Sequence, residues 1–219
     1  MLHGSCSVRH VRKDAQRNRE LVLAAARDVY AEQGVEAPLD VIARRAGVGN
    51  ATLYRRFPDR AALIEAVFRA TLAAVIDAGE EARQAEDPWA GLNGYIDRVF
   101  AVLAADRGAN DLMTTGIEGV PTLEKLHVHN AETFSTLLER CRRQGLVRGD
   151  VVTEDLLLGL AALGRAAPAL EAAVPGSWRR PLALLIDGLR AEGAHPLPTE
   201  PLTADQLASV LGEMNHPRS

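Results

Sequence analysis

Asn50, Thr52, Tyr54, Arg55 and Arg56 fall within seven residues between Gly49 and Phe57. An amide, a hydroxyl, a phenol and two guanidiniums in one short helix can hydrogen-bond base edges and phosphate oxygens. Residues able to do covalent or metal chemistry are not grouped in this way. The chain has no Gly-x-Ser-x-Gly elbow, phosphate-cradling glycine loop, His-Glu-x-x-His or paired-cysteine motif, so neither catalytic residues nor an enzyme is expected. His127 and His129 are two apart, and such positions on a helix do not face each other. Neither a metal nor a cofactor is expected.

Two short helices must hold those donors. In residues 39–46 Ile42 and Ala46 point inward at i, i+4, and Ala43 is small where two helices cross. Gly47 permits the left-handed backbone that ends a helix, and Val48 plugs the corner. A second helix starts around Gly49 and Asn50, turns Leu53 and Phe57 inward, and is stopped by Pro58. Asn50, Ala51, Tyr54 and Arg55 remain on its outward, N-terminal part, from which recognition helices read the major groove. A helical hairpin with a solvated charged face is the plainer alternative. The combined pattern favours a helix-turn-helix.

Over residues 17–70 the chain resembles the TetR family of bacterial transcriptional regulators. The resemblance rests on a helix over 17–34 with Tyr30 and a terminal Gly34, on the glycine turn, and on Thr52, Leu53, Tyr54 and Phe57 before Pro58. It implies that Thr52 and Tyr54 contact phosphates, that Asn50 and Ala51 approach bases, and that Arg60 binds phosphate; Arg55 and Arg56 are expected on the same DNA surface from their charge and place on the helix. It also implies a homodimer on a roughly palindromic double-stranded operator. Gly49 stands where the family often has a hydroxyl, and 38–40 replace a threonine-led helix start, so contacts there are not carried over.

Composition agrees with an all-α fold: hydrophobic content is 47% and aromatic content 4%, with β-formers sparse. The net charge is −4, yet residues 1–70 hold 12 basic and 8 acidic residues against 13 and 21 in 71–219. The positive part coincides with the helix-turn-helix, as an electrostatic footprint should. Cys6 and Cys141 share no metal-site spacing and suggest a reducing compartment. Without an apolar signal core or a run approaching membrane-spanning length, a cytoplasmic protein with no membrane partner is expected.

Four segments follow. Residues 1–16 read as a flexible basic arm, either disordered or reaching the DNA backbone. Residues 17–70 form the DNA-binding head, 71–195 a helical effector-binding and dimerisation domain, and 196–219 a proline-rich tail with a possible helix over 203–214. Within the second domain, helices are expected from Pro88, over 111–116 after a break at 107–110, over 121–144, 153–173 and 178–193. Leu156, Leu160, Leu163, Leu182, Leu185 and Leu189 on the last two either cap the monomer core or pair with a second subunit. The need for two half-sites favours pairing.

Along 121–144 the polar side chains of His127 and Asn130 interrupt an apolar stripe of Leu123, Phe134, Leu137 and Cys141. Leaving such groups buried and unpaired costs roughly 1–3 kcal/mol each. Either the core satisfies them, or they orient a small-molecule effector against Trp89, Phe100, Met113 and Phe134. The sequence therefore reads as a ligand-responsive repressor. Its rival is a DNA-organising or protein-interaction factor with the same head, a filled core and no effector.

Overall fold

The computed structural model describes residues 5–115 and 117–215, with side chains over 16–114 and 117–214. Ten helices are present among the described residues, and the one extended pairing is an isolated antiparallel bridge between Val147 and Arg190. The order is α1 (Ser5–Gln33), α2 (Leu39–Arg45), α3 (Asn50–Arg56), α4 (Arg60–Gln84), α5 (Pro88–Ala105), α6 (Arg107–Thr115), α7 (Pro121–Arg143), α8 (Thr153–Ala173), α9 (Arg179–Asp187) and α10 (Ala204–Asn215).

Local chemistry sets most boundaries. Asp59 accepts from the Ala62 amide and starts α4, while Asp87 accepts from Trp89 and Ala90 ahead of Pro88; both are N-caps of the favoured kind. Pro121 opens α7 in the same way. Thr203 and Gln206 exchange side-chain-to-backbone hydrogen bonds at the start of α10, a capping box.

Four expectations need correction. Helix α1 begins at Ser5, not near Arg17, so 5–16 continue the first helix as regular backbone. Residues 1–4, with His3, and the side chains of Cys6, Arg9, His10, Arg12 and Lys13 lie outside the described residues. The break expected at 107–110 is the first turn of α6, because Asp106 caps it by accepting from the Ala109 amide. Helix α9 is shorter than 178–193, since Leu189 and Ala191 pair with the α7–α8 connector through Arg148 and Leu146. Helix α8 is, by length and composition, apolar enough to cross a membrane. It is apolar on two faces: Leu156, Leu160 and Ala167 enter the core, while Ala162, Ala166 and Ala169 point outward.

Helix α4 runs from the head into the second domain, and α7 lies along it. Gly79 of α4 faces His129 of α7 so closely that any β-carbon there would collide with the imidazole Nε2. The Glu65 carboxylate accepts from the Thr122 amide and hydroxyl at 3.1 and 2.7 Å, at the first turn of α7. At the other end Arg140 of α7 donates to the Arg83 and Ala85 carbonyls at 2.7 and 2.6 Å, which are otherwise orphaned at the α4 C-terminus. The two helices are thus fastened at both ends.

Burial by itself would raise the Glu65 pKa, but the hydrogen bonds from Thr122 and Arg69 outweigh it and hold the carboxyl below its ordinary value. Stabilisation of this kind is present above the unfolded glutamate value of about 4.3 and is lost as pH falls through the lower folded value. The melting-temperature gap between the natural protein and Glu65→Gln is expected to shrink as pH drops below about 4. A gap constant from neutral to acid pH would show that the ionised carboxylate does not fasten α7.

Candidate functional site

The candidate DNA-reading surface begins with the turn. Gly47 has φ +67°, where a side chain would be strained, and the Val48 amide donates back to the Ala43 carbonyl at 3.0 Å. Leu53 is fully buried and Phe57 nearly so, which locks α3 onto the head. That leaves Asn50, Ala51, Tyr54, Arg55 and Arg56 exposed and Thr52 half-buried. Tyr54 is 51% exposed, a large aromatic without cover. No ion pair involves Arg55 or Arg56 among the described residues.

Other arginines of the head are engaged internally. Arg45 makes a two-pronged contact with Glu32 at 2.6 and 2.8 Å, Arg27 donates to the Val67 carbonyl, and Arg19 lies over the Phe57 ring. Arg60 corrects the sequence reading. Its Nη1 donates to the carbonyls of Val35 and Ala37, each at 2.7 Å, and clamps the α1–α2 loop. Proline 38 follows that loop, so few amides are nearby to satisfy those carbonyls, and the guanidinium does so instead. Arg60→Ala is expected to lower stability by about 1.5–3 kcal/mol, leaving the salt dependence of DNA binding unchanged. A salt slope reduced by one ion at unaltered stability would return Arg60 to phosphate.

A cavity of about 440 Å³ lies in the second domain. Phe100 of α5, Met113 and Thr114 of α6, His127, Asn130 and Phe134 of α7, and Leu157, Leu160 and Ala161 of α8 line it; Ala208, Leu211 and Gly212 of α10 form a further wall. Five of the six side chains expected around an effector therefore meet here. Trp89 does not: it lies near the α5 N-terminus under the Arg190 guanidinium, 4.7 Å from its ring centre, because the α5 stripe is longer than the cavity.

The hydrogen bonds of the polar pair are partly used. Tyr95 donates its hydroxyl to Asn130 Oδ1, and burial raises the phenol pKa well above its usual value, so it stays protonated. His127 donates a ring N–H to the Met113 carbonyl. His127 lines the cavity but is exposed, not buried as its place in the stripe implied; desolvation of the ring still lowers its pKa despite the carbonyl. Thr114 donates to the Asn110 carbonyl at 2.8 Å. Asn110 is buried and joins three helices, donating to Leu103 of α5 and Gly164 of α8 at 3.2 and 2.6 Å.

The expected dimer seam needs a second correction. Leu156, Leu160, Leu182 and Leu189 are buried within the protomer, and Leu160 lines the cavity; Leu163 and Leu185 are half-buried. Helices α8 and α9 pack first on their own core, with Gly159 against Leu185. The outward face instead presents Leu184, 68% exposed, with Ala162, Ala166, Ala169 and Ala183.

Sequence reading missed Glu65, Tyr95, Asn110, His129 and Arg140, each of which acts through a partner distant in the chain. It also missed the α10 wall, although Leu207 and Leu211 at i, i+4 after Thr203 signal a helix with an apolar face to bury.

Residues 22–67 match the sequence model for bacterial regulatory proteins of the tetR family, and residues 87–191 that for the SbtR-like transcriptional regulator C-terminal domain. The cavity wall from α10 lies beyond both. No curated protein matches by sequence. Among solved structures, the TetR transcriptional regulator SCO0520 from Streptomyces coelicolor is 30% identical, with 80% of this chain and 99% of that one covered and a TM-score of 0.51. SmeT, repressor of the Stenotrophomonas maltophilia multidrug efflux pump SmeDEF, shares the fold at 20% identity, with 84% and 97% covered and a TM-score of 0.60. FadR from Bacillus subtilis, solved with stearoyl-CoA, shares it at 17% identity, with 78% and 99% covered and a TM-score of 0.59.

Proposed function

We propose, from the premise that this chain belongs to the TetR family of DNA-binding transcriptional regulators, that it is a homodimeric repressor released from its operator by a small molecule. The observation that carries the proposal is the placement of α7. One face brings His127, Asn130 and Phe134 to the cavity; another grips α4 through Glu65, Gly79 and the Arg140 clamp. Helix α4 continues into the head that holds α3.

A ligand that binds better when α7 is displaced shifts the population toward that arrangement by its differential affinity. Displacing α7 moves α4 and the spacing of the two recognition helices, which must match successive major grooves. Arg55 and Arg56 supply uncommitted positive charge, and Asn50 and Ala51 supply the exposed N-terminal part of α3. The solved FadR holds stearoyl-CoA and the solved RolR holds resorcinol, so this fold accommodates small molecules in other proteins. A cavity of about 440 Å³ lies within the usual range for ligand pockets, roughly 300–1,000 Å³, and disfavours the rival reading of an effector-free DNA-organising factor.

Selection from a random duplex library tests this directly. An inverted repeat with half-sites one helical turn or a multiple apart should be recovered. Arg55→Ala with Arg56→Ala should weaken its binding and reduce the salt slope by about two ions. Recovery of a single half-site, or no enrichment, would overturn the dimeric-operator reading. Screening small molecules for release of that repeat then tests the effector.

A further inference from the structure

The cavity has a chemical complement that goes further than its size. Among the described residues none that lines it is charged: the polar groups are Thr114, His127 and Asn130, amid aromatic and aliphatic side chains from α5 to α8 and α10. A carboxylate or ammonium entering it would leave water without a counter-ion, which is strongly unfavourable. The occupant is therefore uncharged and mostly apolar.

Each polar group has one hydrogen-bonding role already filled within the protein, and that fixes what remains. Asn130 accepts from Tyr95 through Oδ1, so its amide N–H groups are the donors left for a ligand. His127 donates to the Met113 carbonyl; a neutral imidazole has one N–H, so its other nitrogen remains an acceptor. His127 is exposed as a residue, but desolvation of its ring by the surrounding protein favours that neutral form. Thr114 donates to Asn110 and retains only acceptor capacity. His127 and Asn130 are three residues apart on α7, neighbours on one helix face, so a single ligand group can touch both.

A group that serves them both must accept from an amide N–H and donate to an imidazole nitrogen. A hydroxyl is the smallest that does. A carbonyl or ether accepts only, and an alkane does neither. We propose that the cavity takes an uncharged, largely apolar molecule bearing a hydroxyl, phenolic or alcoholic, seated between Asn130 and His127. This rests on the effector reading for its biological consequence, but not for the binding itself.

Four probes of one shape separate the possibilities: 4-pentylphenol, 4-pentylanisole, pentylbenzene and 4-pentylbenzoate, titrated calorimetrically into the full chain without DNA. The phenol should bind at least fivefold more tightly than the anisole or the hydrocarbon, and at least tenfold more tightly than the benzoate. In His127→Phe, and in Asn130→Leu combined with Tyr95→Phe so that no hydroxyl is orphaned, the phenol's advantage over pentylbenzene should fall to within twofold. Pentylbenzene itself should still bind, which reports an intact cavity. Benzoate binding as tightly as phenol, an advantage that survives in both variants, or no binding of the phenol overturns the proposal.

Operator release is measured separately by fluorescence anisotropy. Selective phenol binding with no release leaves the ligand class standing and removes the effector reading. Release by the benzoate and not the phenol does the reverse.

Discussion

Leu184→Glu is expected to yield a monomer that no longer holds an operator. Leu184 is 68% exposed in the protomer, so a carboxylate there leaves the fold of each subunit intact. In a dimer joined through the outward faces of α8 and α9 it would be unpaired among Ala162, Ala166, Ala169 and Ala183, an environment in which an isolated charge is strongly disfavoured. A head holding one half-site loses the advantage of the second, on the order of 100-fold or more in affinity. Light scattering at micromolar concentration should give the mass of one chain for the variant and two for the natural protein, with operator anisotropy collapsing in parallel. A natural protein of monomeric mass, or a dimeric variant, would place the interface elsewhere. Leu160→Glu is not an equivalent test, because Leu160 lies against the cavity and would disturb ligand binding and the protomer core together.

Asn110→Asp should have the largest effect on folding. The substitution is nearly isosteric, yet it removes the two amide donors that satisfy the Leu103 and Gly164 carbonyls and places an acid against them, away from water. Two stranded carbonyls cost about 1–3 kcal/mol each, and the acid escapes further repulsion only by keeping its proton. A loss of about 3–5 kcal/mol is expected at neutral pH. The sign with pH is diagnostic. An acid whose folded pKa is raised destabilises increasingly as pH rises from the unfolded value of about 3.9 to the folded one, so the variant should recover part of its stability as pH falls and the carboxyl can donate to one carbonyl. Denaturant unfolding at pH 7 and pH 5 measures both effects. A loss below 1 kcal/mol at pH 7, or the same loss at both pH values, would show that Asn110 does not join α5, α6 and α8 through buried hydrogen bonds.

The head was legible in the sequence because its determinants are local. Glycine at 47, the i, i+4 pairs Ile42–Ala46 and Leu53–Phe57, and Pro58 act over one or two turns, and they place Asn50, Ala51, Tyr54, Arg55 and Arg56 outward without distant help. Capping and helical period likewise set the start of α5 and both limits of α7 and α8 to within a residue. What the chain by itself could not state is which surface meets which. Arg60 is as basic on paper as Arg55, but the Val35 and Ala37 carbonyls lie beside it only once α1 and α4 have packed.

The apolar stripes of α8 and α9 read identically whether they face a core, a cavity or a second subunit. Leu160 and Leu184 were distinguished only by what α5, α6, α7 and α10 occupy. Helical periodicity records that a face must leave water, since burial of apolar area is non-directional. It does not name the surface that covers that face. The partners of His127 and Asn130 were undecided for the same reason: a hydrogen bond is directional and short-ranged, and Tyr95 and Met113 come within reach only after the helices close around the cavity.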